Sequence, residues 1–103
     1  MEKSIEIDVA SKREISLEIW PNPAIDSIIF VFGDKNPSWA EIDIFTVSGD
    51  KIADLRLNSI SRFNSLTWPA RNGNGNLIAS GIYIAHLTTP SGSKTAKFAF
   101  IKN

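Results

Sequence analysis

The fold is decided by one stretch near the end of the chain. It reads Leu66-Thr67-Trp68-Pro69-Ala70-Arg71-Asn72-Gly73-Asn74-Gly75-Asn76-Leu77-Ile78-Ala79-Ser80-Gly81-Ile82-Tyr83-Ile84-Ala85-His86-Leu87, and a turn and Lys97-Phe98-Ala99-Phe100-Ile101-Lys102 follow. Leu66 and Trp68 stand two residues apart and mark the inward side of a short strand. The Gly/Asn-rich loop behind them supplies the positive φ that tight turns need. Ser80-Gly81 opens a strand carrying Tyr83, and Ile82–Thr88 and Thr95–Ile101 form a hairpin about Pro90-Ser91-Gly92. These are the closing strands of a small β-sandwich, and none of them has the look of a catalytic site.

Further back the same period of two recurs. Ala40, Ile42 and Ile44 alternate with Glu41 and Asp43, which gives a strand with one wet face. Ser48-Gly49-Asp50 turns the chain into Lys51–Leu57, where the apolar phase slips between Ile52 and Leu55/Leu57 and predicts a β-bulge. Asn58 to Arg62 is a polar loop. Ile28 to Phe32 is a continuous apolar run, read as a central strand covered on both faces. Gly33-Asp34-Lys35-Asn36-Pro37-Ser38 is a turn cluster. Ile15, Leu17 and Ile19 alternate up to Trp20-Pro21-Asn22-Pro23, where two prolines stiffen a kinked crossover. Residues 4–9 alternate as well and predict an added edge strand. The reading is all-β: an Ig-like β-sandwich of seven to eight antiparallel strands over residues 14–103. Residues 1–13 are assigned to a leading strand or linker from an upstream region.

The totals bound what such a domain does. With 103 residues the chain fits one domain. Lys+Arg and Asp+Glu are both 11, which argues against electrostatically driven nucleic-acid binding. The absence of cysteine excludes disulfides, thiolate metal sites and cysteine nucleophiles. No apolar run approaches the roughly 18–20 residues of a membrane helix, so no membrane insertion is expected. The first residues lack the apolar core of a signal peptide, which leaves a cytoplasmic protein or a fragment of a longer exported chain.

Candidates for chemistry are few. His86 is the single histidine. It shares the face of Ile82 and Ile84, and reads as a partly exposed strand residue rather than a ligand or base. Asn72, Asn74 and Asn76 imitate the first half of a calcium loop, but the twelfth position is Tyr83 where a bidentate Glu is needed. No acid follows Asp54, so the loop reads as a turn. Glu41 and Asp43 project from one strand face and read as its solvated side. No metal, no cofactor and no enzyme activity are expected. Trp20, Trp39 and Trp68 carry the one ligand hypothesis. Trp68 is in phase with the core, whereas Trp20 and Trp39 fall out of phase and are candidates for a glycan-stacking platform. Tyr83, just inside a late strand, is placed to make a tyrosine-corner hydrogen bond.

Four segments then carry a resemblance. Trp20-Pro21-Asn22-Pro23-Ala24, Ala40-Glu41-Ile42-Asp43-Ile44-Phe45 with Ser48-Gly49, Ser80-Gly81-Ile82-Tyr83 with Leu87, and Lys97-Phe98-Ala99-Phe100-Ile101-Lys102 occur in that order. Together they resemble the C-terminal sorting domains of the Bacteroidetes type IX secretion system. The Ig-like domain of the flagellar hook-capping protein is similar to the same pattern. Both families usually carry Trp-Asp-Gly where this chain has Trp68-Pro69-Ala70, which bears on the turn geometry of that loop. The resemblance implies a non-catalytic module at the end of a larger exported protein. Its partners would be its own upstream domain and the outer-membrane secretion machinery. Its route would run through the periplasm to surface attachment or release. It also implies the sorting-signal residues. Pro21, Asn22 and Pro23 form an exposed crossover, Gly49 and Gly81 permit turns, and Tyr83 lies in the late strand. Lys97 and Lys102 flank a last strand whose free edge can pair with a partner. The alternative is a structural Ig-like accessory domain, of the hook-cap type or appended to an enzyme; a carbohydrate-binding module ranks below both.

Overall fold

The computed structural model describes residues 15–35 and 38–102. The leading strand expected at residues 4–9 and the linker after it lie outside the described residues. Seven strands follow in order: β1 (Ile15–Trp20), β2 (Ile28–Asp34), β3 (Ala40–Thr46), β4 (Lys51–Leu57), β5 (Phe63–Trp68), β6 (Gly81–Thr89) and β7 (Gly92–Phe100). They form two sheets, one ordered β1-β2-β5 and the other β4-β3-β6-β7. Every pairing within them is antiparallel. The described residues contain no helix, so none is long and apolar enough to cross a membrane. This is the β-sandwich expected from the alternation.

The alternation works because each strand sends every second side chain between the sheets. Phe30 and Phe32 from β2, Ile42 and Ile44 from β3, Leu87 from β6, and Phe98 and Phe100 from β7 are fully buried. Trp68 stacks on Phe30 at 6.3 Å, Phe30 meets Phe98 edge-on at 6.1 Å, and Phe98 lies against Tyr83 at 5.8 Å. This aromatic chain crosses from one sheet to the other. Such pairs add about 0.5–1.5 kcal/mol each beyond their buried area.

Four local features differ from the expectation or refine it. β2 is central, with β1 and β5 as its hydrogen-bonded neighbours, but it is not covered on both faces: Ile29 and Val31 are only half-buried. A two-layer sandwich has no third layer to cover an outer face. β2 also runs on through Gly33 and Asp34, which the sequence assigned to a turn. Gly33 lies so close to the carbonyl oxygen of Arg62 that a Cβ has no room there. Ser91 Oγ donates to Asp34 Oδ1 at 2.8 Å, tying the buried end of β2 to the β6–β7 turn. That turn is tighter than expected, because Thr89 pairs with Gly92 and leaves two residues between them. The polar loop 58–62 tucks Ile60 into the core, and the Ile60 amide donates to Ser38 O at 2.9 Å. The predicted bulge is present: Ile44 pairs with Ala53 but Phe45 with Lys51, so Ile52 is the extra residue.

Candidate functional site

The chain changes sheets after Trp20. Its bonds Trp20-Pro21 and Asn22-Pro23 are both cis. The segment then lies along the outer edge of β7, where Ala24 bridges to Phe100 in parallel. Three hydrogen bonds hold it there. Ala99 N–H donates to Asn22 Oδ1 (3.0 Å), Ala24 N–H to Ala99 O (2.8 Å) and Ile101 N–H to Ala24 O (2.8 Å). Lys102 N–H donates to Ser80 Oγ at 2.7 Å, so the residues after β7 are clamped between the crossover and the start of β6.

The pairing of Gly81 with Phe100 and of Thr46 with Tyr83 brings the β3–β4 turn to this same end. Pro21, Asn22, Pro23, Gly49, Gly81, Tyr83 and Lys102 therefore gather at one end of the sandwich. Lys97 stands a little way down β7, opposite Ile84. Gly49 adopts φ of 100°, as its turn requires, whereas Gly81 is not among the glycines with positive φ. Tyr83 O–H donates to the carbonyl of Ala79 at 2.6 Å and anchors the end of the 69–80 loop. Burial pushes its pKa above 10.0. Within that loop Trp68 Nε1 donates to Arg71 O (3.1 Å), and Asn72 Oδ1 accepts from the amides of Asn74 and Asn76 (both 3.0 Å). Asn72 thus organises a turn. Ala70, at the position where the resembling families carry glycine, adopts φ of 60°.

The same end carries apolar surface of which the sequence reading singled out only Trp20 as an exposed candidate. Of six exposed large apolar side chains among the described residues, Trp20, Ile25, Val47, Ile82 and Ile101 are here, and only Phe63 is elsewhere. A groove of about 410 Å³ on the outer face of the four-stranded sheet continues the patch; Phe45, Val47, Ile84 and His86 help to line it. Ile82 and Val47 were legible in principle, since Ile82 is out of phase with the buried Tyr83, Ala85 and Leu87. Ile101 is likewise out of phase with the buried Phe98 and Phe100, whereas Ile25 has no periodic context to reveal it.

The two tryptophans do not form one platform. Trp20 is 55% exposed at this end. Trp39 precedes β3 at the opposite end, half-buried, with the Arg56 guanidinium 5.1 Å from its ring centroid. Glu41, Asp43 and Asp54 form the one carboxylate cluster among the described residues that is compact enough to hold a metal. Cations already cover it: Lys51 lies 3.5 Å from Asp43 and 3.7 Å from Asp54, and Arg56 lies 3.7 Å from Glu41. The charge of Asp43, above all, holds the Lys51 pKa above 10.5. His86 Nδ1 and Thr95 Oγ1 are hydrogen-bonded at 2.8 Å, which completes a strand-surface role.

Residues 18–102 match the family described as the secretion system C-terminal sorting domain. The chain belongs to this family. No curated protein matches the sorting domain in sequence. Solved structures that share its fold include the following three. It aligns with dimeric latent PorU from Porphyromonas gingivalis at TM-score 0.70 and 18% identity, over 86% of the domain and 9% of that chain. It aligns with PorZ, described as an essential surface component of the type IX secretion system of the same organism, at TM-score 0.60 and 24% identity, over 84% of the domain and 11% of that chain. The third is FlgD from Xanthomonas campestris, described in terms of hook capping, at TM-score 0.54 and 21% identity, over 84% of the domain and 61% of that chain. The sorting domain thus spans only a small part of the first two. Its fold is the Ig-like sandwich that the sequence pattern indicates.

Proposed function

We propose that this sorting domain is the non-catalytic address of a larger exported polypeptide. The type IX machinery reads it at the outer membrane, after passage through the periplasm, and its cargo ends on the cell surface or in the medium. The machinery reads the composite end described above. The observation that carries this reading is convergence. Residues from the segments that resemble the family's motifs, as distant in the chain as Pro21 and Lys102, meet at one end beside five exposed apolar side chains. Exposed apolar surface of that kind marks interaction sites.

The test is a fusion of residues 11–103 to a periplasmically targeted fluorescent protein in a bacterium with type IX secretion. Deleting residues 97–103 is a poor control, because it removes the buried Phe98 and Phe100. The better control is the fusion with Val47→Ser, Ile82→Ser and Ile101→Ser, which alters exposed positions only. Export of the parent and periplasmic retention of the folded triple variant is the expected result. Retention of both, folded, overturns the sorting reading and favours a structural Ig-like accessory domain. Equal export of both leaves sorting standing and removes this end as its signal.

A further inference from the structure

The hydrogen bonds of Ala99 fix the direction of every polar group along β7. Ala99 N–H and C=O both point away from β6, to Asn22 and Ala24. The β6–β7 register runs without a shift from Phe100 to Gly92. In an antiparallel ladder alternate residues bond to opposite sides. The amides and carbonyls of Lys97, Thr95 and Ser93 therefore point outward as well. Among the described residues nothing pairs with them: β7 is the last strand of its sheet, and β1 lies alongside but hydrogen-bonds to β2. The crossover has already added a short parallel segment to this edge, and that ladder stops one rung above Lys97.

The charged side chains of this strand and its extension are Lys94, Lys97 and Lys102, and residues 55–103 contain no Asp or Glu. The acid on β1 within the described residues, Glu18, is exposed, with its carboxylate engaged by Trp20 Nε1 at 3.4 Å. Lysines on an edge oppose pairing with a second copy of the same edge.

We propose that the β7 edge from Ser93 to Lys97 takes up an extended, acidic segment of a partner protein as an additional strand. The ladder begun by Asn22–Ala24 continues through this partner strand; Lys97, out of phase with the buried Phe98 and Phe100, faces its carboxylates on the outer face, and Lys94 adds positive charge on the opposite face. Backbone bonds supply the hold and the lysines select the sign of charge. The inference deepens the sorting reading and rests on it for the partner's place in the export route; the binding itself is tested apart from export.

The experiment uses the isotopically labelled chain and a short capped peptide of alternating glutamate and valine, with its lysine–valine counterpart as control. Amide exchange and chemical shifts are followed by NMR. The acidic peptide is expected to protect the amides of Ser93, Thr95 and Lys97 and to leave those of Ala96 and Phe98, already bonded to β6, unchanged. Lys97→Glu is expected to weaken binding about fivefold. Thr95→Pro, which removes an outward N–H and the Thr95 Oγ1 bond to His86 but no ladder bond to β6, is expected to abolish it; if that variant does not fold, Lys97→Glu carries the test. Equal binding of the lysine peptide, perturbation centred on Val47 and Ile82 instead, no binding, or self-association that protects the same amides without peptide would each overturn the proposal. None of these outcomes alters the reading of the fusion assay.

Discussion

Tyr83 closes the 69–80 loop through one hydrogen bond to Ala79, while its ring stacks on Phe98. Tyr83→Phe keeps the ring and leaves the Ala79 carbonyl without that donor, at a cost of about 1 kcal/mol. For a domain of this size, melting is expected to fall by about 4–8 °C at neutral pH. Because burial raises the phenol's pKa in the folded state, its contribution is complete below the unfolded value near 10.0. It is lost as pH rises through the folded value. The gap between parent and Tyr83→Phe in melts therefore narrows above about pH 10. Ala70 offers a second test. A non-glycine residue in the left-handed region costs about 1–2 kcal/mol. Ala70→Gly relieves that strain. It also forfeits about 0.8 kcal/mol of methyl burial and about 0.4–1 kcal/mol through a freer unfolded chain. The net change in denaturant midpoint is expected to be close to nil. Ala70→Val keeps the strain and crowds a site with 0% exposure, and is expected to cost about 2–4 kcal/mol in the same titration.

At the scale of elements, the crossover and β7 depend on one another. Asn22→Ala removes the acceptor for the Ala99 amide. The expected result is a loss of about 1 kcal/mol and faster exchange of the Ala99 and Ile101 amides, with amides in β2 and β3 unchanged. Elements whose signal is local were legible in the sequence: alternation in β1 and β3, the slip at Ile52, the Pro90-Ser91 turn, and Tyr83 near the start of β6. What escaped it depends on distant partners. Asn22 meets Ala99 across 77 positions, with no periodicity to announce the contact. Gly33 reads as a turn residue until the Arg62 carbonyl is seen beside it. Ile60 is a lone apolar residue in a polar loop, and only the fold shows the space it fills.

For the whole molecule, one apolar cluster joins both sheets and includes residues from Ile15 to Phe100. Unfolding is therefore expected to be a single cooperative transition, seen together by calorimetry and near-ultraviolet circular dichroism. Deleting residues 97–103 removes two fully buried phenylalanines, each worth about 3–5 kcal/mol on truncation, and is expected to abolish that transition altogether. The residues that form the candidate surface were mostly named by their sequence segments. Their assembly on one end was not, because it follows from strand register and from the change of sheet after Trp20.

The direction of β1 has a practical consequence. Ile15 pairs with Asp34, at the end of the sandwich opposite Phe100. Whatever precedes Ile15 joins the domain there, and β7, with nine residues at roughly 3.3 Å each, spans about 30 Å between the two ends. On the proposed sorting reading, a passenger attached before Ile15 starts from the end opposite the proposed surface, so passengers of many shapes can share one handle. A tag placed after Lys102 does the reverse and emerges in the middle of that face, so reporters belong at the other end.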